Sequence, residues 1–590
     1  MSRFRKKGTL SKMNESKQEK KRIICTTVLV ETSPQAMPLG AACIASALKA
    51  EPSLADFSVE LIDFSREDGE FVSALDSGGE KGAAAMIAEK LAARAPSAVC
   101  FSVYVWNHSI LDCVASELKR LVPSVFCIAG GPEVTASPRA FRSFDFTVAG
   151  PGEVAVPELC AALFSGASSV PLPCDVAIPG VLFRGGENPS SDAPVVRATP
   201  CRPEATPSPY LDGTLDPARY GGALWELARG CPFKCSYCYE SKGEKKISYF
   251  PMERLEKEIE LFARKKIAQV FVLDPTYNAS KERALRMLRI IEKKAPGMFF
   301  YFEARAEFID RELARAFARI PCCIQFGLQS ANPAVLKNVH RTLDKKLFAR
   351  NISFLNDEGV TFGFDLIYGL PGDTIGGFLN SIDFALSLYP NNLELFCLSV
   401  LPGTNLFDDA PGFGMEWDKN PPYHVTRTPT FSESDIAAAS RISRATNIFY
   451  TQGRAVPWFN SVLRALREKP SAFLSAFADF LDARESGNGG DVQYSSEEIE
   501  SMQKEFVLAR LRSSRLERLC PVASDLISMH GALGRCTADG TESTFATNYH
   551  PDDVMSEYGT DLAFFAKNAG RQRCRVRVFS SQNGADWKTV

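Results

Sequence analysis

Histidine is scarce in this chain: there are five in 590 residues, placed singly, and His108 is the only one before residue 340. A closed zinc site takes four ligands, commonly from paired Cys or His elements at matching spacings, and no second CxxC or HxxxH element is present to complete one. An excess of charge is missing too, since 68 Lys and Arg against 70 Asp and Glu leave a net charge of -2. Nothing therefore draws the chain as a whole toward nucleic acid or an anionic lipid surface. Long apolar runs are absent, none approaching the ~18–20 residues a membrane span requires. The cysteines number 17, an odd count spread from Cys25 to Cys574 without framework spacing, so they read as mostly reduced thiols and not as a disulfide scaffold. The expectation is a cytoplasmic protein with no nucleic-acid and no membrane partner.

At 590 residues with 45% hydrophobic and 23% charged content, the chain should form several globular domains, because single cores stop growing near ~250–300 residues. Residues 1–21 are basic and polar, including Arg3, Arg5, Lys6, Lys7, Lys12, Lys17, Lys20 and Lys21, and read as a disordered tail. The apolar run at 23–30 would suit a secretory signal, but Glu31 ends it and no small-residue cleavage site follows. Over residues 22–165, β-rich runs at 23–30, 57–63, 98–104, 125–129 and 144–148 alternate with helical apolar spacing at 39–50, 82–94, 109–121 and 154–164. That alternation predicts an α/β fold with an open, doubly wound parallel sheet, whose ligands bind beyond the carboxyl ends of the strands at the switch point. Residues 166–221 are rich in Pro, Ser, Gly and Asp and read as a linker, with a short hairpin near 180–184.

From 222 to 415 the alternation resumes. Strands are expected at 224–228, 269–273, 298–304, 323–328, 362–367 and 393–400, with helices such as 252–265, 281–294, 345–356 and 375–388 between them. Residues 416–590 predict a third, α+β region: a helix at 433–451, a second opening on the capping box Ser495/Glu498, a flexible loop at 485–491, a strand at 575–579 and a hairpin turn at Asn583-Gly584.

The most specific chemistry lies in Cys231-Pro232-Phe233-Lys234-Cys235-Ser236-Tyr237-Cys238. Thiolates hold iron–sulfur clusters, and a CxxxCxxC loop brings three of them together. Three ligands leave the fourth iron of a cuboidal cluster open to substrate or cofactor, which points to an enzyme. Two Gly-rich turns follow buried strands in the first domain, Gly130-Gly131-Pro132-Glu133 and Gly150-Pro151-Gly152-Glu153, where a ligand or another backbone could approach closely; tight βα turns account for them equally well. Asp274, Pro275, Thr276, Tyr277 and Asn278 close the second core strand, either as polar groups at a mouth or as an N-cap and turn. Glu303 and Arg305 end the third strand on one face, either to meet a zwitterionic ligand or to pair with each other. Gln325, Gln329, Ser330 and Asn332 end the fourth.

The cysteine loop, with Tyr237 before its third cysteine, resembles that of the radical SAM superfamily. The Gly-rich turns, with Phe101 to Asn107 ahead of them, look like the cobalamin (B12)-binding domain found upstream of many radical SAM cores. Together the resemblances span about residues 22–415, as an N-terminal doubly wound Rossmann-like domain, a central partial (βα)6 barrel and an α+β C-terminal region. They imply a 4Fe-4S cluster on Cys231, Cys235 and Cys238, and S-adenosylmethionine (SAM) held by Phe233, Tyr237, Glu303, Arg305, Gln329, Ser330 and Leu370. Arg341 resembles an arginine at the same place in cobalamin-type relatives. Cobalamin is implied at Ser102, Val103, Gly130, Gly131, Pro132, Glu133, Gly150, Gly152 and Glu153. Two departures stand out. The loop 31–40 has no histidine where methionine-synthase-type domains carry DxHxxG, so a bound cobalamin would keep its tail off cobalt with no imidazole in its place, or the domain keeps the fold without the cofactor. Leu273-Asp274-Pro275-Thr276 replaces the family's Gly-Gly-Glu run, leaving open which group holds the SAM amine. The implied activity is reductive cleavage of SAM to a 5'-deoxyadenosyl radical, with cobalamin-dependent methyl transfer to an unactivated carbon. The alternatives are a radical rearrangement or cyclisation, or a non-catalytic cobalamin or cluster sensor. Implied partners are a small-molecule or peptide substrate and an electron donor such as flavodoxin or ferredoxin. No catalytic acid or base is legible.

Overall fold

The computed structural model describes residues 21–165, 178–184, 195–242, 246–486, 492–581 and 584–590. The chain divides into two compact units, Met1–Thr32 with Pro38–Leu215, and Ser33–Met37 with Asp216–Val590.

The first unit runs β1 (Arg22–Leu29), α1 (Leu39–Ala50), β2 (Ser58–Ser65), α2 (Gly69–Ala92), β3 (Ala98–Ser102), α3 (His108–Leu121), β4 (Phe126–Gly130), α4 (Pro132–Ala136), β5 (Phe146–Val148), α5 (Gly152–Phe164) and β6 (Val181–Phe183). The strand order is β2-β1-β3-β4-β5-β6, parallel except for the antiparallel β5/β6 edge. β1 and β3 are buried almost throughout, as strands covered on both faces must be. One core packs Ile87 of α2 and Val114 of α3 against Val99 and Phe101; the other packs Ala45 of α1 and Leu159 of α5 against Ile23 and Ile128. This is the doubly wound sheet expected, with its switch point between β1 and β3. α2 starts at Gly69, well before the predicted 82, because buried Phe71 anchors a first segment that bends at Gly79, where φ is 62°. The described part of residues 166–221 up to Leu215 belongs to this unit: β6 pairs with β5, and the Ala198 N–H donates to the Ala149 carbonyl at 2.8 Å. Residues 1–20 of the tail, 166–177 and 185–194 lie outside the described residues.

The second unit opens with β7 (Gly222–Trp225), β8 (Ala228–Arg229), β9 (Ser248–Tyr249), α6 (Met252–Arg264), β10 (Gln269–Val272), α7 (Lys281–Lys294), β11 (Phe299–Ala304), α8 (Arg311–Phe317), β12 (Cys322–Gln329), α9 (Pro333–Asn338), α10 (Lys345–Asp357), β13 (Thr361–Tyr368), α11 (Ile375–Leu386) and β14 (Asn392–Cys397). Six strands in the order β14-β13-β12-β11-β10-β7, all parallel, form a sequential βα array that stays open between β7 and β14. The predicted strand 224–228 is broken after Trp225, because the Leu227 and Ala228 N–H groups bond to Asp274 at 2.8 and 2.9 Å instead of to a strand. The inner face carries a row in register, Glu303, Gln325, Gly363 and Asn392.

The rest of this unit comprises α12 (Asn405–Asp409), β15 (Glu416–Trp417), β16 (Val425–Arg427), α13 (Glu433–Thr446), α14 (Phe459–Leu466), α15 (Pro470–Glu485), α16 (Ser496–Ser513), α17 (Cys520–Asp539), β17 (Ser543–Thr547), α18 (Pro551–Val554), α19 (Leu562–Asn568), β18 (Cys574–Ser581) and β19 (Gly584–Thr589). Ser495 and Glu498 form the expected capping box. Along β14, the Ser443 hydroxyl donates to the Leu395 carbonyl at 2.7 Å, the Tyr450 hydroxyl to Pro390 at 2.6 Å, and the Thr451 hydroxyl accepts from the Leu393 N–H at 3.1 Å. Residues 487–491 and Asn583, read as loop and turn, lie outside the described residues.

Candidate active site

Beyond the carboxyl ends of β10 to β13 lies a cavity of about 330 Å³. Cys231, Cys235, Cys238, Phe233, Tyr237, Glu303, Arg305 and Gln329 all line it. The other two residues expected there do not. The Ser330 side chain is fully buried, accepts from the Asn332 N–H at 3.1 Å and sits 3.4 Å from the Ser381 hydroxyl, so it builds the turn into α9. Leu370 is buried in an apolar cluster with Val335, Leu398 and Val400.

Asp274 sets the loop that carries the thiols. It is 5% exposed, its Oδ1 accepts from the Leu227 and Ala228 N–H groups just ahead of Cys231, and it does not line the cavity. Leu273, Pro275 and Thr276 make the cavity wall instead, with the Thr276 hydroxyl 3.8 Å from the Cys231 sulfur. The cysteine loop is held in turn by the Ser236 N–H bond to Val339 at 3.1 Å and the Leu406 N–H bond to Ser236 at 2.8 Å.

Arg305 does not pair with Glu303. Its guanidinium bonds Glu307 at 2.7 Å and lies over the Phe233 ring, 4.1 Å from the centroid, and that guanidinium holds the Glu307 carboxyl low against the burial that would raise it. Glu303 is instead pushed up by burial and by nearby Glu240. Gln329 stands at a bulge in β12 with φ 65°, a device that re-aims a side chain, and its Oε1 has no hydrogen-bond partner among the described residues. Asp365 and Gln325 also line the cavity, the amide donating to the carboxylate at 2.6 Å; burial pushes Asp365 up to about 7. Asp365 as a cavity side chain was missed from sequence, although period-two alternation from Gly363 puts it on the inner face.

The donor set fits an iron–sulfur cluster. Cys231, Cys235 and Cys238 come from one short loop and line one cavity, as a cluster held by three thiolates requires. Burial pushes the Cys238 thiol up to about 11, and such a thiol becomes a ligand when a metal takes the place of its proton.

In the first unit, the residues expected at cobalamin cluster at the carboxyl ends of β3, β4 and β5. The Val103 N–H donates to the Gly130 carbonyl at 2.8 Å. Gly131 has φ 111°, and a Cβ there would collide with the Val103 backbone. Gly150 accepts no side chain either: its φ is 107° and the Ala198 nitrogen lies 3.1 Å from where a Cβ would stand. Gly152 packs on Ile44, Pro132 opens α4 and Glu153 lies in the first turn of α5. Buried Glu133 is hydrogen-bonded to His108 Nδ1 at 2.9 Å, and His108 stacks on Phe141, which leaves it structural. Gly131 and Gly150 thus serve the unit's own close backbone contacts. At the switch point Tyr104 and Trp106 stack at 4.6 Å and 4°, with Trp106 41% exposed. Fully buried Asn107 ties this loop down, donating to Thr27 Oγ1 and the Val28 and Ser102 carbonyls and accepting from the Tyr104 N–H at 2.7 Å. The partly exposed Tyr104–Trp106 stack at the switch point fits the face of a flat macrocycle, while the neighbouring His108 is engaged by Glu133 and Phe141.

An open array of βα units with three thiols beyond its first strand is the architecture of a radical SAM domain, and residues 225–385 match the Radical SAM superfamily. Residues 26–160 match the B12 binding domain, so the chain joins a B12-binding domain to a radical SAM domain. It is 31% identical over 342 residues to the cobalamin-dependent radical SAM methyltransferase TokK of Streptomyces tokunonensis, covering 53% of this chain and 48% of TokK. It is 35% identical over 349 residues to the 2-(S-pantetheinyl)-carbapenam-3-carboxylate methyltransferase of Streptantibioticus cattleyicolor, covering 54% and 50%. The chain thus spans about half the length of these curated relatives. Among solved structures its fold is similar to the cobalamin-dependent S-adenosylmethionine radical enzyme OxsB with aqua-cobalamin bound, at TM-score 0.56 and 15% identity over 94% of this chain and 85% of that one. It is also similar to the methyltransferase TsrM from Kitasatospora setae with cobalamin and a [4Fe-4S] cluster bound, at TM-score 0.51 and 18% identity over 70% and 81%. The cofactors of such a chain are a 4Fe-4S cluster, SAM and cobalamin. Among the described residues no helix is long and apolar enough to cross a membrane.

Proposed function

We propose that this chain is a cobalamin-dependent radical SAM methyltransferase acting on an unactivated carbon of a small molecule or peptide. One observation carries the reading: three thiols of one CxxxCxxC loop share a cavity with polar groups from the ends of successive strands. When bound, the cluster and SAM supply a 5'-deoxyadenosyl radical and cobalamin a methyl group, while the protein binds, orients and shields. Cys231, Cys235 and Cys238 hold the cluster. Phe233 and the Arg305–Glu307 pair form one wall for SAM, and Tyr237, Glu303 and Gln329 complete it, with Gln325 and Asp365 added to the set. Cobalamin lies on the turns around Ser102, Val103, Gly130 to Glu133 and Gly150 to Glu153. The reductant is a flavodoxin or ferredoxin, in the cytoplasm.

Anaerobic reconstitution tests the reading. Purified protein should bind corrinoid, take up iron and sulfide, and release 5'-deoxyadenosine from SAM under reduction. No 5'-deoxyadenosine would exclude both methyl transfer and a radical rearrangement; no bound corrinoid would exclude methyl transfer alone. Cys235→Ala should abolish cluster absorbance, and its retention would refute the ligand assignment.

A further inference from the structure

The cavity holds two guanidinium groups with opposite circumstances. Arg305 is neutralised by Glu307. Arg341, which follows α9 and has its own N–H anchored on the Leu336 carbonyl at 2.8 Å, turns back to the cysteine loop. Its Nη1 lies 3.2 Å from the Tyr237 hydroxyl and 3.6 Å from the Cys235 sulfur, and its Nη2 donates to the Gly327 carbonyl. None of these bonds goes to a carboxylate among the described residues, and Nε is buried without a partner. The Glu307 and Asp365 carboxylates attract this cation without bonding it, and the sulfur of Cys235, itself 7% exposed, is the acceptor within hydrogen-bonding distance that a bound cluster would make anionic.

We propose that Arg341 is a positioning residue that acts on the cluster through Cys235, donating a hydrogen bond to that sulfur and raising the cluster's reduction potential. The proposal rests on Cys235 being a cluster ligand. Hydrogen bonds to the sulfurs, net charge and solvent exposure are what set such potentials. A positive charge near one corner stabilises the reduced, more negative cluster. Tyr237 braces the same guanidinium and keeps it aimed at the sulfur.

The test is an EPR-monitored redox titration of the reconstituted protein before SAM is added, so that any contact of Arg341 with SAM is out of play. Arg341→Gln should load iron as the natural protein does but titrate at a more negative potential. At the natural protein's midpoint, the reduced-to-oxidised ratio should fall at least tenfold, which is a shift of 59 mV for a one-electron couple. Arg341→Lys, which keeps the charge and loses the fork, should recover most of the shift. A loaded Arg341→Gln protein with an unchanged midpoint overturns the proposal, and so does an Arg341→Lys midpoint as low as that of Arg341→Gln. If Arg341→Gln loads no iron, the lysine variant decides: it should load and titrate between the natural midpoint and one 59 mV lower, and a midpoint outside that interval, or no loading, overturns the proposal. Absence of a cluster in the natural protein defeats the ligand assignment itself and is told apart by iron content.

Discussion

Replacing Asp274 with Ala removes the acceptor of two buried backbone N–H groups, those of Leu227 and Ala228. Each buried donor left without a partner costs about 1–3 kcal/mol, so the loss should be about 2–6 kcal/mol, concentrated where the chain leaves β7 for the cysteine loop. Asp274→Asn keeps an acceptor oxygen and should cost far less. The two variants also separate in pH. Burial pushes the Asp274 carboxyl up to about 7, with its two N–H bonds acting the other way. The fold therefore favours the neutral acid, and its contribution, whole below the unfolded value of about 3.9, is lost as pH rises through about 7. The amide of the Asp274→Asn variant does not titrate, so that variant should gain on the natural protein between about pH 4 and about pH 7. Hydrogen exchange of a peptide spanning 226–230, together with iron content after reconstitution, reads both effects. Exchange at least tenfold faster is expected for the Ala variant. Equal exchange in the Ala variant and the natural protein, or an Asn variant as damaged as the Ala variant, would refute the role given to Asp274.

Asn107→Ala should lower the stability of the first unit by about 2–4 kcal/mol, because it strands the Tyr104 N–H and frees the β1 and β3 ends; a thermal melt and the absorbance of retained corrinoid check it, and an unchanged melting temperature would sink it. Gly131→Ala forces a side chain to φ 111° and into the Val103 carbonyl, so it should cost at least about 1–3 kcal/mol, read as a drop in melting temperature. SAM binding should tighten as pH rises from 6 to 8, since Asp365 ionises near about 7 and a carboxylate holds a hydroxyl or ammonium better than the acid does. Equilibrium binding to Asp365→Asn should flatten that profile; the same slope in both proteins counts against it.

Local spacing was readable and long-range pairing was not. The helix expected at 281–294 is α7 at the same bounds, because Ser280 caps its start through the Arg283 N–H and apolar positions recur at helical period. The three thiols that line the cavity come from one short loop, so their grouping was legible in local spacing. Asp274, by contrast, is committed to residues 46 and 47 positions earlier, and nothing near it in sequence distinguishes that use from an N-cap. Alternation put Glu303 and Arg305 on one face but could not tell which acid Arg305 takes, and Glu307 lies past the strand end in a turn. Ser330 carried the right residue type for a ligand site, yet the turn into α9 claims its side chain; Leu370 was implied through the backbone of its turn, and the apolar cluster takes only its side chain. Composition marked 166–221 as a linker, since a short edge strand such as β6 has too few residues to show a period.

The hydroxyls of Ser443, Tyr450 and Thr451 along β14 bear on how this chain could be shortened. An open βα array leaves its last strand with one bare flank, and a bare flank templates strands from other molecules. Here that flank is occupied by side chains that supply hydrogen bonds but cannot propagate a sheet. A chain cut after Arg427 would keep all three thiols and nearly the whole cavity, and still be expected to self-associate through β14. The C-terminal region thus covers an edge that the sheet of the second unit would otherwise leave bare.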